Sequence, residues 1–383
     1  VADLIAPTGT VHWIGAGLST GTGLAVVCDA AGTVRLWHRS AERAAHKLAR
    51  LGLSGRAAPR AFTPDALAAE LVPGDVVVSM LPAFEHTALL RLCVEHRAHF
   101  ACSSYVSDAL RAVVPAAVRA KTAVLAEAGL DPGIDHLFAH SLIGRARAAL
   151  GDGPARVRFT SYCGGVPAVP NAFRYRFSWA PRGVLAALRT PARYVDKGAA
   201  VVAARPWEAA TRQRVGEETF EVYPNRDSVP FIAQYGLPPA WRADTFVRGT
   251  LRLDGWLRAW EPVFTELCRD DDERTAALAD DLAARYPTTD DDRDRVVLIV
   301  RLDVRADSGG SWRGRYLLDI TGDAAESAMA RCVSRPLAHG VEQILHGDLP
   351  TGLTQAARGA REAERALARL AQDGIGFARD FSG

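Results

Sequence analysis

The stretch Val11-His12-Trp13-Ile14-Gly15-Ala16-Gly17-Leu18-Ser19-Thr20-Gly21, with Thr33-Val34-Arg35-Leu36-Trp37 behind it, sets the architecture of the N-terminal part of the chain. A short apolar run enters a glycine cluster, helix-compatible residues continue through Cys28, and a second apolar run begins at Thr33. That order reads as strand, turn, helix and strand, with the glycines at the strand-to-helix turn. Backbone N–H groups and the positive end of the helix dipole suit a pyrophosphate there. Glycine spacing alone is weak evidence, and a tight turn without ligand is the plain alternative. The order of the elements favours a dinucleotide site.

The end of the second strand selects the dinucleotide. An NAD site usually places Asp or Glu about twenty residues past the glycines, on the ribose 2′-hydroxyl. Here the strand ends in His38-Arg39-Ser40, with no carboxylate until Glu42. An arginine followed by a hydroxyl suits a 2′-phosphate, so NADP(H) is the expected cofactor. A solvated surface arginine is the other reading of Arg39.

The alternation continues. Asp75 to Leu81 is predicted as a buried strand ending at Pro82, a helix runs from about Thr87 to His96, and a strand from His99 to Ser104 follows. An amphipathic helix then extends to about Arg119, before a strand from Val124 to Ala126. Strands alternating with helices imply a parallel, doubly wound, Rossmann-type sheet with ligands beyond its C-terminal edge. Pro82, Tyr105 and Asp131 all follow such strands and are expected to converge on one crevice.

The run Ala128-Gly129-Leu130-Asp131-Pro132-Gly133-Ile134-Asp135-His136 closes this domain. Pro132 suits a first helical position, Asp131 suits its cap, and Gly133 leaves the backbone open to a bound molecule. The run is either a capped turn between domains or part of the site. Asp135 and His136, one helical turn deeper, read as helix and hinge supports.

Beyond about residue 150 the texture becomes α+β. Val157 to Cys163 alternates like a strand ending in Gly164-Gly165, which would leave Cys163 in open surroundings. Ala172 to Trp179 is rich in aromatics and arginine, and Arg182 to Leu188 is a short helix. Thr245 to Leu253, Val296 to Val304 and Tyr316 to Thr321 read as strands of a mixed or antiparallel sheet. The acidic clusters at 270–273 and 290–292 lack the spacing and glycine of a calcium loop and read as solvated linkers flanking a small helical insert.

The 383 residues call for two or three domains. The expected boundaries are a cofactor domain over 1–130, a substrate and dimerisation domain over 131–323 with its helical insert at about 255–295, and C-terminal helices over 324–383 that pack back on the first domain. With 46 basic and 44 acidic side chains, the formal charge of +2 gives no reason to expect nucleic acid or an anionic membrane as partner. No apolar run is long enough to span a bilayer and no export signal is evident, so a cytoplasmic location is expected. The six cysteines form no C-x-x-C pair, and no metal site is expected.

Longer motifs carry a resemblance. Ser103-Ser104-Tyr105-Val106-Ser107, the run 129–136, Ser161-Tyr162-Cys163-Gly164-Gly165-Val166-Pro167, Phe177-Ser178-Trp179 and Arg182-Gly183-Val184-Leu185 occur in that order, followed by Tyr223-Pro224-Asn225-Arg226-Asp227-Ser228 and Arg248-Gly249-Thr250-Leu251. Together they resemble the saccharopine reductases, the NADP-dependent, glutamate-forming saccharopine dehydrogenases. Two departures stand out. Thr20 occupies a place where a smaller residue suits helix packing, and Ala83-Phe84-Glu85-His86 replaces the family's aromatic-first pattern. The resemblance implies a homodimer acting on saccharopine, or on L-glutamate plus 2-aminoadipate semialdehyde, in lysine metabolism. It implies reaction residues at Tyr105, Asp131 and Cys163, with Cys163 as a proton carrier or only a pocket wall. It implies substrate contacts at Gly164, Asn225, Arg226 and Thr250; since saccharopine carries three carboxylates, Arg174, Arg176 and Arg182 are candidate partners for the rest. Gly15, Gly17, Leu18, Ser19, Arg39, Ser40, Leu81 and Pro82 would line the cofactor. A related imine reductase of the carboxynorspermidine or opine type is the alternative.

Overall fold

The computed structural model describes residues 4–269, 271–289 and 292–383. Within it the chain divides into two compact units, Val1–Ile134 with Ala330–Arg358, and Asp135–Met329 with Gly359–Gly383.

In the first unit, β1 (Thr10–Ile14), β2 (Thr33–His38), β3 (Ala58–Ala61), β4 (Val76–Ser79), β5 (His99–Cys102) and β6 (Ala123–Ala126) run parallel in the order β3-β2-β1-β4-β5-β6. The strand Gly352–Gln355 extends the sheet beyond β6, also parallel. The order reverses between β1 and β4, as in dinucleotide-binding doubly wound sheets. Because helices cover both faces, the strands read as near-continuous apolar runs rather than alternating ones. Leu24, Val27, Leu337, Val341 and Ile344 fill one face, and Leu67, Leu90, Cys93, Leu110 and Ala117 the other.

The structure refines two expected elements and adds a strand, β3. The strand at 99–104 stops at Cys102. The single helix reaching Arg119 is two short ones, Asp108–Arg111 and Val114–Arg119, with Pro115 in the first turn of the second. Proline lacks the N–H that would continue the first helix, and is tolerated where a new one begins. The run Ala58–Ala61 pairs at the sheet edge, where Pro59 removes no ladder bond from a central strand.

The second unit is built on the long β7 (Ala155–Pro167). Then come β8 (Ala192–Asp196), β9 (Ala199–Ala203), β10 (Thr211–Val215), β11 (Glu218–Pro224), β12 (Trp241–Leu253), β13 (Asp294–Ala306) and β14 (Ser311–Thr321). The sheet order is β10-β11-β12-β7-β13-β14, closed by the strand Ala378–Ser382, with β7 and β12 parallel and the other pairs antiparallel. The glycines Gly164 and Gly165 do not end β7. They lie inside it, paired to Val297 and Val296 of β13. The helices Trp256–Ala259, Glu261–Leu267 and Asp272–Arg285 make the insert, packed through Trp256, Trp260, Phe264 and Leu282 onto Phe173, Tyr175 and Phe177. Asp271 caps the last of these helices by accepting from the Arg274 N–H, whereas Asp270, Asp290 and Asp291 of the acidic clusters lie outside the described residues.

The C-terminal segment divides between the units. Ala330–Arg358 groups with the parallel sheet, and Gly359–Gly383 groups with the second unit. The cause is local: Ala378–Ser382 pairs with β14, and Glu364 accepts hydrogen bonds from Ser141 and Arg145 (2.7 and 2.9 Å).

Beneath β1 and β4 a buried polar knot joins His12, Thr8 and Asp75. Asp75 is 1% exposed and accepts from Thr8 Oγ1, the Val72 N–H (3.1 Å) and His12 Nε2 (3.1 Å). Burial works against the Asp75 charge, but these bonds outweigh it and hold the carboxyl below its ordinary value of 3.8. A depressed folded value adds stability above the unfolded pKa that disappears as pH falls through the folded one. Asp75→Asn is therefore expected to cost about 1–3 kcal/mol at neutral pH. The gap should narrow below about pH 4, as measured by urea unfolding at stepped pH.

Candidate active site

The glycine turn lies at the C-terminal end of β1, ahead of the helix Gly23–Ala30. Gly15 has φ +112°, and a Cβ there would stand 3.0 Å from Met80 Cβ, so the turn requires glycine. A Cβ on Gly17 would meet nothing within 4 Å, which leaves open space over the turn. Leu18 is 48% exposed and Ser19 half-buried beside it. Thr20 is buried, donates to the Gly15 carbonyl (2.8 Å) and accepts from Trp13 Nε1 (3.3 Å). The larger residue thus clamps the turn to the strand beneath it.

At the end of β2, Arg39 is exposed. His38 is held below its ordinary value, first by burial and then by the charges of Arg39 and Arg43, so the patch is electropositive. Lys47 reaches the Gly17 carbonyl at 3.4 Å. Ser40 has a second task, since its hydroxyl caps the helix Ala41–Arg50 through the Arg43 N–H and donates to Glu42. An open glycine turn beside a basic strand end fits a dinucleotide with a 2′-phosphate. Leu81 is half-buried and Pro82 exposed beyond β4. Phe84 is exposed too, while His86 turns inward.

His86 links two strand ends. Its Nδ1 lies 2.9 Å from Ser79 Oγ at the end of β4, and its Nε2 lies 2.9 Å from Ser104 Oγ beyond β5. Burial lowers its pKa to about 4, so the ring is neutral at pH 7 and one nitrogen donates while the other accepts. Glu127 fixes the same loop from the other side. It accepts from the Val106 N–H (3.2 Å) and from Gln355 Nε2 (2.9 Å). Between these two anchors stands Tyr105, whose hydroxyl donates to Asp131 Oδ1.

The helix after Asp131 begins at Ile134, so Pro132 lies two residues ahead of it and not in its first turn. The run is a tight turn instead, with a cis Asp131–Pro132 peptide, in which the Gly129 N–H donates to Pro132 O and the Ile134 N–H to Gly129 O (both 2.9 Å). Gly133 has φ +147°, and a Cβ there would lie 1.9 Å from Gly129 O, so no other residue closes this turn. The turn aims Asp131 at Tyr105.

In the second unit, register sets Tyr223 of β11, Thr250 of β12 and Cys163 of β7 in one row. Cys163 is 8% exposed, buried rather than open, because β12 and β13 flank it on both sides. Gly164 turns to the opposite face, where a Cβ would meet Leu251 O at 2.1 Å. Asn225 is half-buried, and its N–H donates to Arg248 O (2.9 Å). Arg226, at φ +58°, is exposed on the following turn. Of the other arginines, Arg182 is paired with Asp280 on the surface, Arg176 is buried and donates to Asp292 O (3.0 Å), and Arg174 is half-buried. Arg248 ion-pairs with Asp135, both buried, and its guanidinium lies 4.0 Å over the Phe231 ring. His136 Nδ1 lies 2.7 Å from the Tyr235 hydroxyl.

Residues 11–125 match the saccharopine dehydrogenase NADP-binding domain, and residues 129–375 match the saccharopine dehydrogenase C-terminal domain. The chain belongs to the saccharopine dehydrogenase family. Its NADP-binding domain is the parallel sheet with the glycine turn. Among relatives, the saccharopine dehydrogenase [NADP(+), L-glutamate-forming] of Pyricularia oryzae is 36% identical over 65% of this chain and 55% of its own length. The Saccharomyces cerevisiae protein of the same name is 39% identical over 49% of this chain and 42% of its own length. The match thus spans about half the length of these two relatives. The solved apo saccharopine dehydrogenase (L-Glu forming) from Saccharomyces cerevisiae superimposes with a TM-score of 0.79 at 25% identity, covering 98% of this chain and 100% of that one.

Against that family background, Glu127 and His86 are the residues that reading the sequence missed. Each acts by holding the Tyr105 loop, and nothing in the spacing pairs Glu127 with Gln355, 228 residues away. Among the described residues no cluster of His, Cys, Asp and Glu suits a metal. Likewise, no described helix is long and apolar enough to cross a membrane. For the basic strand end, Arg39→Asp is expected to weaken NADP⁺ roughly tenfold or more and NAD⁺ only slightly, as read by fluorescence titration of both cofactors. Equal losses would remove Arg39 from 2′-phosphate recognition.

Proposed function

We propose that the chain is an NADP(H)-dependent saccharopine reductase of lysine metabolism. In this reading it reduces the imine of 2-aminoadipate semialdehyde and L-glutamate to saccharopine, reversibly. The observation that carries it is the hydrogen-bonded Tyr105–Asp131 pair at the C-terminal edge of a sheet whose glycine turn and Arg39 suit NADP(H). Residues 1–130 act as the cofactor domain, and 131–323 as the substrate and dimerisation domain.

Gly15, Gly17, Leu18 and Ser19 receive the pyrophosphate, Arg39 and Ser40 the 2′-phosphate, and Leu81 and Pro82 line the nicotinamide end. When bound, the nicotinamide supplies or accepts the hydride at the carbon next to nitrogen. Asp131, oriented by the Tyr105 hydroxyl, stabilises the positive charge on that nitrogen. Cys163 and Tyr105 carry protons or wall off water as the imine forms and hydrolyses. Saccharopine carries three carboxylates. Arg226 offers one of them a planar fork, with Gly164, Asn225 and Thr250 along its path.

The assay mixes purified protein with saccharopine and NADP⁺ at alkaline pH and follows the absorbance of the reduced cofactor. Turnover is expected, and Asp131→Asn should lower kcat by about tenfold or more. Turnover with another secondary-amine amino acid, but not with saccharopine, would point to a related imine reductase. Cofactor binding without any turnover would overturn the enzyme reading.

The working form in this proposal is a cytoplasmic homodimer. None of the six cysteines is in a disulfide, which suits a reducing compartment. The second unit also carries an apolar edge, Ala199-Ala200-Val201-Val202-Ala203 of β9, which among the described residues pairs with β8 alone and leaves Val202 64% exposed. Such an edge suits a second chain. Val202→Glu is expected to shift the protein from dimer to monomer in sedimentation at micromolar concentration; an unchanged dimer would place the interface elsewhere.

A further inference from the structure

Glu127 is the first residue beyond β6, 2% exposed and held at a backbone φ of +57°. Glycine adopts that conformation freely, whereas a residue with a Cβ is strained there. Burial is a second cost, because a carboxylate inside the protein has lost its water. Glycine at this position would avoid both. Strain of this kind persists where the surroundings over-determine it, commonly at functional sites.

What Glu127 touches is the chain on either side of Tyr105. Its N–H donates to the Ser104 carbonyl (3.1 Å), and its Oε1 accepts from the Val106 N–H (3.2 Å). Its other oxygen, Oε2, accepts from Gln355 Nε2 (2.9 Å) on the edge strand Gly352–Gln355. Gln355 lies opposite Ala126 in register. The next residue, Ala356, is left-handed too (φ +45°), and its N–H donates to the Ala126 carbonyl (3.1 Å). Two neighbouring strand ends thus leave the extended conformation together, joined by one side-chain bond.

Four residues after Glu127, Asp131 accepts the Tyr105 hydroxyl. One segment of chain therefore holds Tyr105 by its flanking peptides at one end and by its side chain at the other. A small rotation of those peptides is amplified along the tyrosine side chain before it reaches Asp131.

We propose that Glu127, backed by Gln355, is a positioning residue for the reaction at Tyr105 and Asp131. It fixes the two peptides that flank Tyr105, and thereby the angle at which the hydroxyl meets Asp131. The edge strand takes part through Gln355, although 228 residues separate it from Glu127. The proposal rests on the reductase reading for its assay, and on geometry alone for the hold on Tyr105.

The test uses the full chain with NADP⁺ and saccharopine, and compares Glu127→Gly, Gln355→Ala and the swapped pair Glu127→Gln with Gln355→Glu. Glu127→Gly removes the carboxylate and relieves the left-handed backbone. It should lower kcat roughly 10- to 100-fold and leave the KM of NADP⁺ within about twofold. Gln355→Ala, at a half-buried side chain, serves if Glu127→Gly fails to fold, and should lower kcat about three- to tenfold. The swapped pair restores a donor and an acceptor at each contact, so its kcat should return to within about threefold of the parent. Hydrogen exchange of the 103–107 segment, read by mass spectrometry, is independent of turnover. It should quicken roughly tenfold or more in Glu127→Gly and slow again in the swapped pair. Parent kcat and parent hydrogen exchange in a folded single variant would overturn the proposal and leave the reductase reading intact. A kcat loss that the swapped pair does not recover, with faster hydrogen exchange throughout residues 1–134, would make Glu127 structural only and overturn it as well. A parent that does not oxidise saccharopine would overturn the reductase reading; hydrogen exchange that quickens at 103–107 and recovers in the swapped pair would still sustain the hold on Tyr105.

Discussion

The buried ion pair between Asp135 and Arg248 is the constraint on which the second unit's polar side depends. It ties the first turn of the helix Ile134–Leu150 to the middle of β12. The same Arg248 takes part through its backbone, accepting the Asn225 N–H and donating to Ser228 Oγ (both 2.9 Å). One residue therefore sets the helix, the strand and the 225–228 turn against each other. Buried pairs of this kind add little net stability compared with apolar packing, but losing one partner leaves a buried charge and costs about 3–5 kcal/mol. The pair defines geometry more than it adds stability.

From that anchor, strand alternation does the rest. Thr250 and Arg252 repeat the orientation of Arg248 at intervals of two, and register carries the row to Tyr223 and Cys163. The residues between them, Leu251 with Tyr162 and Val222, face the other way into an apolar cluster with Val297 and Ile299. A shift of one residue in β12 would exchange these two faces. The glycines of β7 are explained by the same packing, since Gly164 has the Leu251 carbonyl where a side chain would stand.

In the first unit the reactive end is assembled by polar groups at strand ends. Neutral His86 bridges Ser79 and Ser104, Glu127 fastens Val106 to Gln355, and the Gly129–Ile134 turn delivers Asp131 to Tyr105. Tyr105 is thereby held from several directions, as a group that must orient a carboxylate has to be.

The parallel sheet was legible in the chain because its signals are local: apolar runs of strand length, glycines at Gly15 and Gly17, and an arginine where an acid is usual. The glycine–proline run was legible as a turn, yet its helix was placed two residues early, since composition alone does not tell a first helical turn from a tight turn ahead of it. Cys163 was read as open because paired glycines usually mark an end; here they mark the close approach of β7 to β12. Arg252 passed unnoticed for the opposite reason: an arginine in an alternating strand looks solvated until the insert's Trp256 and the loop's Tyr175 are folded over it. Local pattern thus settled which segments are strands and helices and where a dinucleotide fits. Burial and counter-charge depend on residues far apart in the chain, so only the packed structure shows which arginines are paired, which thiol is enclosed and which carboxylate Tyr105 holds.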